Sequence, residues 1–309
     1  MCWWVLFSVV TMGCGDRGLP SSADVPKEEQ VLLFEELFED TDWTSRGWYD
    51  EPRMRITSSE HIPGSGHSCV WHWRKAGDVV PEGGGARVLF TPVTSVILSF
   101  YIKHSSNWEW TGVNWHPHEF HFITDVDPPY IGPAYTHLTF YVEAVNGVPR
   151  VAIQDGRNID EGRIGQDLVG ITEDRAVARC NGDSDGYGEG DCYRVGNVHR
   201  NGKYWEPGRV YFSDEPGPYY KGDWHHIKVK IKLNSIVDGV LQYWYDGELV
   251  MDYHDLVFRT GKHPDMKINQ FLMAPYYGPG VPHEQWIWIG DLRIYTDDGT
   301  VSDWEGGGS

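Results

Sequence analysis

Short runs in which apolar and polar side chains alternate recur along this chain, and a period of two marks strands that bury one face and show the other. In the run 138–144 the apolar set is Leu138, Phe140 and Val142, so Thr139, Tyr141 and Glu143 are predicted to face away from the core. The same rule sends Val151 and Ile153 inward and Arg150 and Gln154 outward. It also places Phe120 and Phe122 inward with Glu119 and His121 opposite. Past Trp224, Ile227, Val229, Ile231 and Leu233 alternate with His226, Lys228, Lys230 and Lys232, and Asp246-Gly247 then marks a tight hairpin. Further strand-like runs lie at 69–73, 95–103, 267–274 and 286–295, while the segment 32–38 suits either a short helix or a first strand. Long amphipathic helices are hard to find, so the pattern predicts an all-β, antiparallel two-sheet sandwich.

Composition adds detail to this picture. The 15 Trp and 17 Tyr, with 36 Gly and 18 Pro, suit many short strands joined by tight turns. A chain of 309 residues accommodates one large β domain, placed at 31–300. Within it, residues 155–222 break the rhythm with Gly, Asp, Asn and Arg and read as a long loop insertion. Residues 1–15 look like the apolar core of an export signal, and Gly13-Cys14 resembles the end of a bacterial lipobox. The expectation is a secreted, periplasmic or cell-surface lipoprotein carrying lipid on Cys14, with 16–30 a polar tether and 301–309 a flexible tail.

A net charge of −19 argues against nucleic acid and anionic membrane surfaces as partners, so the one membrane contact expected is a lipid anchor at Cys14. In an oxidising compartment Cys180 and Cys192, which bracket a Gly- and Asp-rich loop, are free to close it as a disulfide. Cys69 is then left over as an inert buried thiol. The bracketed loop offers Asp183, Asp185 and Asp191 as hard oxygen ligands, which suits a structural calcium ion, although the EF-hand register is absent.

The polar face of the middle strands carries the candidate chemistry. His121 and Tyr141 are placed for proton transfer, since imidazole titrates near neutral pH and a neighbouring phenol serves as acid. Arg150, Gln154, Arg157 and Asn158 are candidate binders of a substrate carboxylate. Around them Trp108, Trp110, Asn114, Trp115, His116, Glu119, Thr139 and Glu143 are expected to grip a hydroxyl-rich polymer, with Tyr204, Trp205 and Tyr277 as ring-stacking surfaces. His118 and His121, three apart, fall on opposite faces of a regular strand, so a zinc site built from these histidines is not expected.

A resemblance joins these readings. Trp224 to Asn234, Asp238 to Gln242 and Tyr245 to Val250, continued in Leu256 to Arg259, Phe271 to Gly278 and Ile289 to Ile294, resemble the C-terminal half of jelly-roll polysaccharide lyases of the concanavalin A-like lectin and glucanase superfamily. The resemblance implies a jelly-roll sandwich with one sheet curved into a glycan groove. It also implies β-elimination on a uronic-acid polysaccharide: a His or Tyr removes the C5 proton, a Tyr protonates the leaving oxygen, and an Arg, Asn or Gln neutralises the carboxylate, with no cofactor required. The Glu-x-Asp-x-x-Glu run of the superfamily's glucanases is absent, which argues against a two-carboxylate hydrolase. Residues 112–118 depart from the lyase pattern, so two alternatives stand beside cleavage: a lectin-like binding module, and a surface structural or adhesion subunit.

Overall fold

The computed structural model describes residues 30–113, 117–124, 138–154, 194–195, 198–199, 204–259, 264–299 and 301. Among these residues the strands in chain order are β1 (Val31–Glu36), β2 (Ile56–Thr57), β3 (Ser68–Trp73), β4 (Ala86–Val93), β5 (Ser95–His104), β6 (His118–Thr124), β7 (Thr139–Val145) and β8 (Val148–Gln154). They continue with β9 (Arg194–Val195), β10 (Val198–His199), β11 (Tyr204–Trp205), β12 (His225–Lys232), β13 (Gly239–Tyr245), β14 (Glu248–Leu256), β15 (Ile268–Tyr276) and β16 (Gln285–Thr296). One eight-stranded sheet runs β14-β13-β12-β5-β16-β3-β2, with β1 on the far half of β16, and a six-stranded sheet runs β11-β8-β7-β6-β15-β4. Every pairing in the two sheets is antiparallel. The predicted all-β jelly-roll sandwich is therefore the observed architecture.

Local sequence explains the regular parts. Asp246 and Gly247 both take positive φ, 49° and 83°, which closes β13 onto β14 with the twist that a two-residue hairpin needs. In β12 the apolar members Ile227, Val229 and Ile231 are fully buried while their polar neighbours are half-exposed, and the strand is held on both sides, by β5 and β13. The undecided first segment is a strand: Val31–Glu36 pairs with the end of β16. Its last residue, Glu36, is buried with its charge satisfied by the Arg46 guanidinium at 2.7 Å, the Trp48 indole N–H at 2.8 Å and the Phe38 amide at 2.7 Å.

Aromatic side chains from the two sheets meet in the middle. Phe120 of β6 lies 4.6 Å from Phe100 of β5 and 5.4 Å from Trp71 of β3, ring centre to ring centre. On the six-stranded sheet Phe140, Val142, Val151 and Ile153 point into this core, as their alternation predicts. Cys69 is buried and free there, its thiol pushed up by burial. The expectations that concern the export signal and Cys14, the tether, the Cys180–Cys192 bridge and a calcium ion on Asp183, Asp185 and Asp191 lie outside the described residues.

Candidate functional site

The outer face of the six-stranded sheet is organised by its register. One row crosses the whole sheet: Arg87 on β4 pairs with Leu272 on β15, Leu272 with His121 on β6, His121 with Tyr141 on β7, Tyr141 with Ala152 on β8, and Ala152 with Tyr204 on β11. The next row holds Leu89, Gln270, Ile123, Thr139 and Gln154. On the other side Glu143 stands opposite Arg150. Side chains of like parity share a face, so His121, Tyr141, Arg150, Thr139 and Glu143 are brought to one face, while the side chain of Gln154 lies outside the described residues.

At its centre the Tyr141 ring lies between two imidazoles, 4.3 Å from His118 and 4.5 Å from His121. Nδ1 of His118 is 2.8 Å from a Glu143 carboxylate oxygen, and both side chains are largely withdrawn from solvent. A carboxylate accepts only, so Nδ1 carries the proton and Nε2 keeps the lone pair in the neutral ring. His121 is buried more deeply, with Nδ1 3.4 Å from the Leu272 carbonyl. Burial, with smaller contributions from His118 and Arg87, lowers its pKa to about 3, so its imidazole is neutral throughout the physiological range.

The face is sheltered rather than an open trough. His121, Thr139, Glu143 and Arg150 are buried, His118 and Tyr141 are half-buried, and Tyr204 is exposed. Arg150 pairs with Glu206 at 3.0 Å, and its guanidinium stacks on the Tyr204 ring at 4.2 Å.

Several sequence expectations need correction. Glu119 is not on this face: it is buried, with its carboxyl near the core phenols Tyr243 and Tyr277. His118 takes the position expected of Glu119, its ring 6.2 Å from that of His121 rather than on the opposite side. The reason is a break in register. Pairing of β6 with β7 ends at Phe120, and pairing with β15 slips between Met273 and Tyr276, so alternation does not carry past Phe120.

Three residues expected to contact the sugar belong to the core. Trp108 packs edge-on against Trp73 at 5.4 Å and Tyr277 at 5.3 Å, and Trp205 packs on Phe258 at 5.7 Å, all of them buried. Trp110 is half-buried against His104 at 5.2 Å. Asn114, Trp115, His116, Arg157 and Asn158 lie outside the described residues.

Residues the sequence did not single out complete the face. Arg87 and Gln270 sit at its β4 end, with Arg87 Nη1 donating to Gln270 Oε1 at 3.0 Å and Gln270 Nε2 donating to the Tyr49 hydroxyl at 2.7 Å. The signal that was present was a basic residue in the run Ala86-Arg87-Val88-Leu89-Phe90. Pro92 stands in the same strand, and an edge strand such as β4 tolerates proline.

Comparisons with known proteins agree with this architecture. Residues 178–293 match the family model described as polysaccharide lyase. A search of curated proteins finds no match. Among solved structures, the endo-β-1,4-glucuronan lyase of the fungus Trichoderma reesei superposes with a TM-score of 0.50 at 13% identity, covering 86% of this chain and 96% of the other. The marine alginate lyase of Aplysia kurodai gives 0.47 at 10% identity, covering 86% and 97%. An alginate lyase from Chlorella virus gives 0.45 at 12% identity, covering 80% and 90%. The resemblance to jelly-roll polysaccharide lyases drawn from the sequence is thus met by the family model, and the sandwich fold by the glucuronan lyase.

Proposed function

We propose that this protein binds a uronic-acid polysaccharide on the outer face of its six-stranded sheet and cleaves it by β-elimination. The observation that carries the reading is Tyr141 held between His118 and His121, with His118 fixed by Glu143. In β-elimination a base takes the C5 proton, the C5 electron pair forms the C4=C5 double bond, the C4–O bond breaks, and an acid protonates the departing oxygen. His118 is the base: its Nδ1 is held by Glu143, which orients the ring and stabilises the imidazolium that forms. Tyr141 is the acid. His121, neutral because burial lowers its pKa to about 3, packs its uncharged ring against the other side of the phenol. Arg87 with Gln270 at one end, and Arg150 at the other, offer guanidinium groups to the substrate carboxylate, whose neutralisation makes the C5 proton acidic.

The test is incubation with a panel of glucuronan, alginate and neutral glucan, read by the ultraviolet absorbance of the new double bond and by size exclusion. The reading expects absorbance with a polyuronate and none with Tyr141→Phe. A panel in which no polyuronate yields a chromophore would refute cleavage. The pairing of Arg87 and Arg150 with the protein's own carboxylates favours one second reading, binding without cleavage, in which polyuronates are retained and no chromophore forms. Export, with lipid on Cys14, belongs to the same proposal, supported by the apolar run of residues 1–15. Globomycin-sensitive processing in a bacterial host tests it.

A further inference from the structure

The β4 end of the sheet is bordered by a segment that brings a carboxylate to Arg87. Residues Tyr49 to Arg53 run alongside β4 and bond to it: the Tyr49 amide donates to the Arg87 carbonyl at 2.9 Å, the Arg87 amide returns to the Tyr49 carbonyl at 3.2 Å, and the Arg53 amide donates to the Gly85 carbonyl at 3.3 Å. Immediately after Tyr49, Asp50 and Glu51 both adopt positive φ, 65° and 54°, a conformation that costs an L-residue energy. The turn aims the Asp50 carboxylate at Arg87, with Asp50 Oδ2 2.6 Å from Arg87 Nε. Arg87 is in the row of His121 and Tyr141, and its charge is felt at His121.

The two partners differ in exposure. The Arg87 side chain is 14% exposed and held on its other side by Gln270, whereas the Asp50 side chain is 58% exposed. An ion pair with one partner this exposed is worth little and exchanges readily. We propose that Asp50 is a built-in surrogate for a uronate carboxylate, occupying Arg87 until the polysaccharide displaces it, so that the Arg87–Asp50 pair sets the affinity and the acidic-sugar preference of the face. This rests on the polyuronate reading above. Displacement keeps a carboxylate on the guanidinium at every stage, which spares the buried side of Arg87 a bare charge, and it offers a neutral sugar nothing in exchange.

The experiment is titration calorimetry in a Tyr141→Phe background, which prevents turnover, with glucuronan and alginate oligosaccharides and a neutral β-1,4-glucan oligosaccharide. Asp50→Asn keeps the shape and removes the charge, and Asp50→Gly keeps the positive φ and removes the side chain. Both are expected to bind one of the uronate oligosaccharides about three- to fivefold more tightly, as loss of a competing exposed ion pair predicts, with the neutral glucan unchanged. Matching thermal melts for parent and variants report an intact fold. Uronate binding that is unchanged or weaker in both variants overturns the surrogate role while leaving the functional reading in place. Failure of every variant and the parent to hold any uronate overturns the functional reading, and this proposal with it.

Discussion

Replacing Glu119 with glutamine is expected to make the protein more stable at neutral pH, by an amount that grows with pH. Glu119 is buried, one of its oxygens has no hydrogen-bond partner, and it lies near a second carboxylate, Glu143. Burial first, and Glu143 second, raise its pKa well above the usual carboxylate range, while the Ala144 backbone N–H pulls weakly the other way. The native state therefore holds the neutral acid, whereas the unfolded chain ionises near its ordinary value of 4.5.

A group whose folded pKa is raised contributes stability that is full below its unfolded pKa and is lost as pH rises through the folded one. Each pH unit in that window costs about 1.4 kcal/mol, so taking up a proton on folding at pH 7 costs up to about 3 kcal/mol. Glutamine offers the same shape and an amide oxygen without that proton. Urea melts of parent and Glu119→Gln at half-unit steps from pH 4.5 to 8 check this, read as the difference between the two proteins so that all other titrations cancel. The variant is expected to match the parent near pH 4.5 and to pull ahead by about 1.4 kcal/mol per unit until the folded pKa is passed. A difference that is flat with pH, or a parent that leads at pH 7, would refute a neutral Glu119.

Other outcomes follow from the same geometry. His104 and His121, whose pKa values burial lowers to about 3, should show ring proton shifts in NMR that stay flat from pH 8 down to about 4.5. Because their folded pKa values are depressed, each removes about 1.4 kcal/mol of stability per unit as pH falls below 6.5, so acid melts of His104→Phe should flatten relative to the parent. Glu143→Gln should lower polyuronate cleavage by roughly 10²- to 10⁴-fold while leaving binding within a few-fold, since the amide can hold His118 in the wrong tautomer; equal losses in both would place Glu143 in binding instead. Phe120→Ala, which empties a fully buried site between the sheets, should cost about 3–5 kcal/mol in urea unfolding; a loss under 1 kcal/mol would mean that the core there is looser than its ring contacts indicate.

The alternation of Leu138, Phe140 and Val142 with Thr139, Tyr141 and Glu143, of Val151 and Ile153 with their neighbours, and the Asp246-Gly247 turn determined by themselves that this chain makes two-faced antiparallel strands, and which face of each is the core. These are local properties: a period of two and a turn dihedral need only adjacent residues. The placement of Tyr141 and His121 on one face was legible for that reason. Only the tertiary structure decided that His118 joins them and Glu119 does not, because the slip between Met273 and Tyr276 depends on a partner strand some 150 residues away in sequence. Nor could alternation tell that Trp108 and Tyr277 close a buried cluster with Trp73, since aromatic side chains suit cores and sugar sites alike. A basic residue in the β4 run was visible in the sequence, but its meeting with Gln270 and Tyr49 was not: hydrogen bonds spanning 183 and 221 residues arise from which strands become neighbours in a sheet, and no local pattern records that.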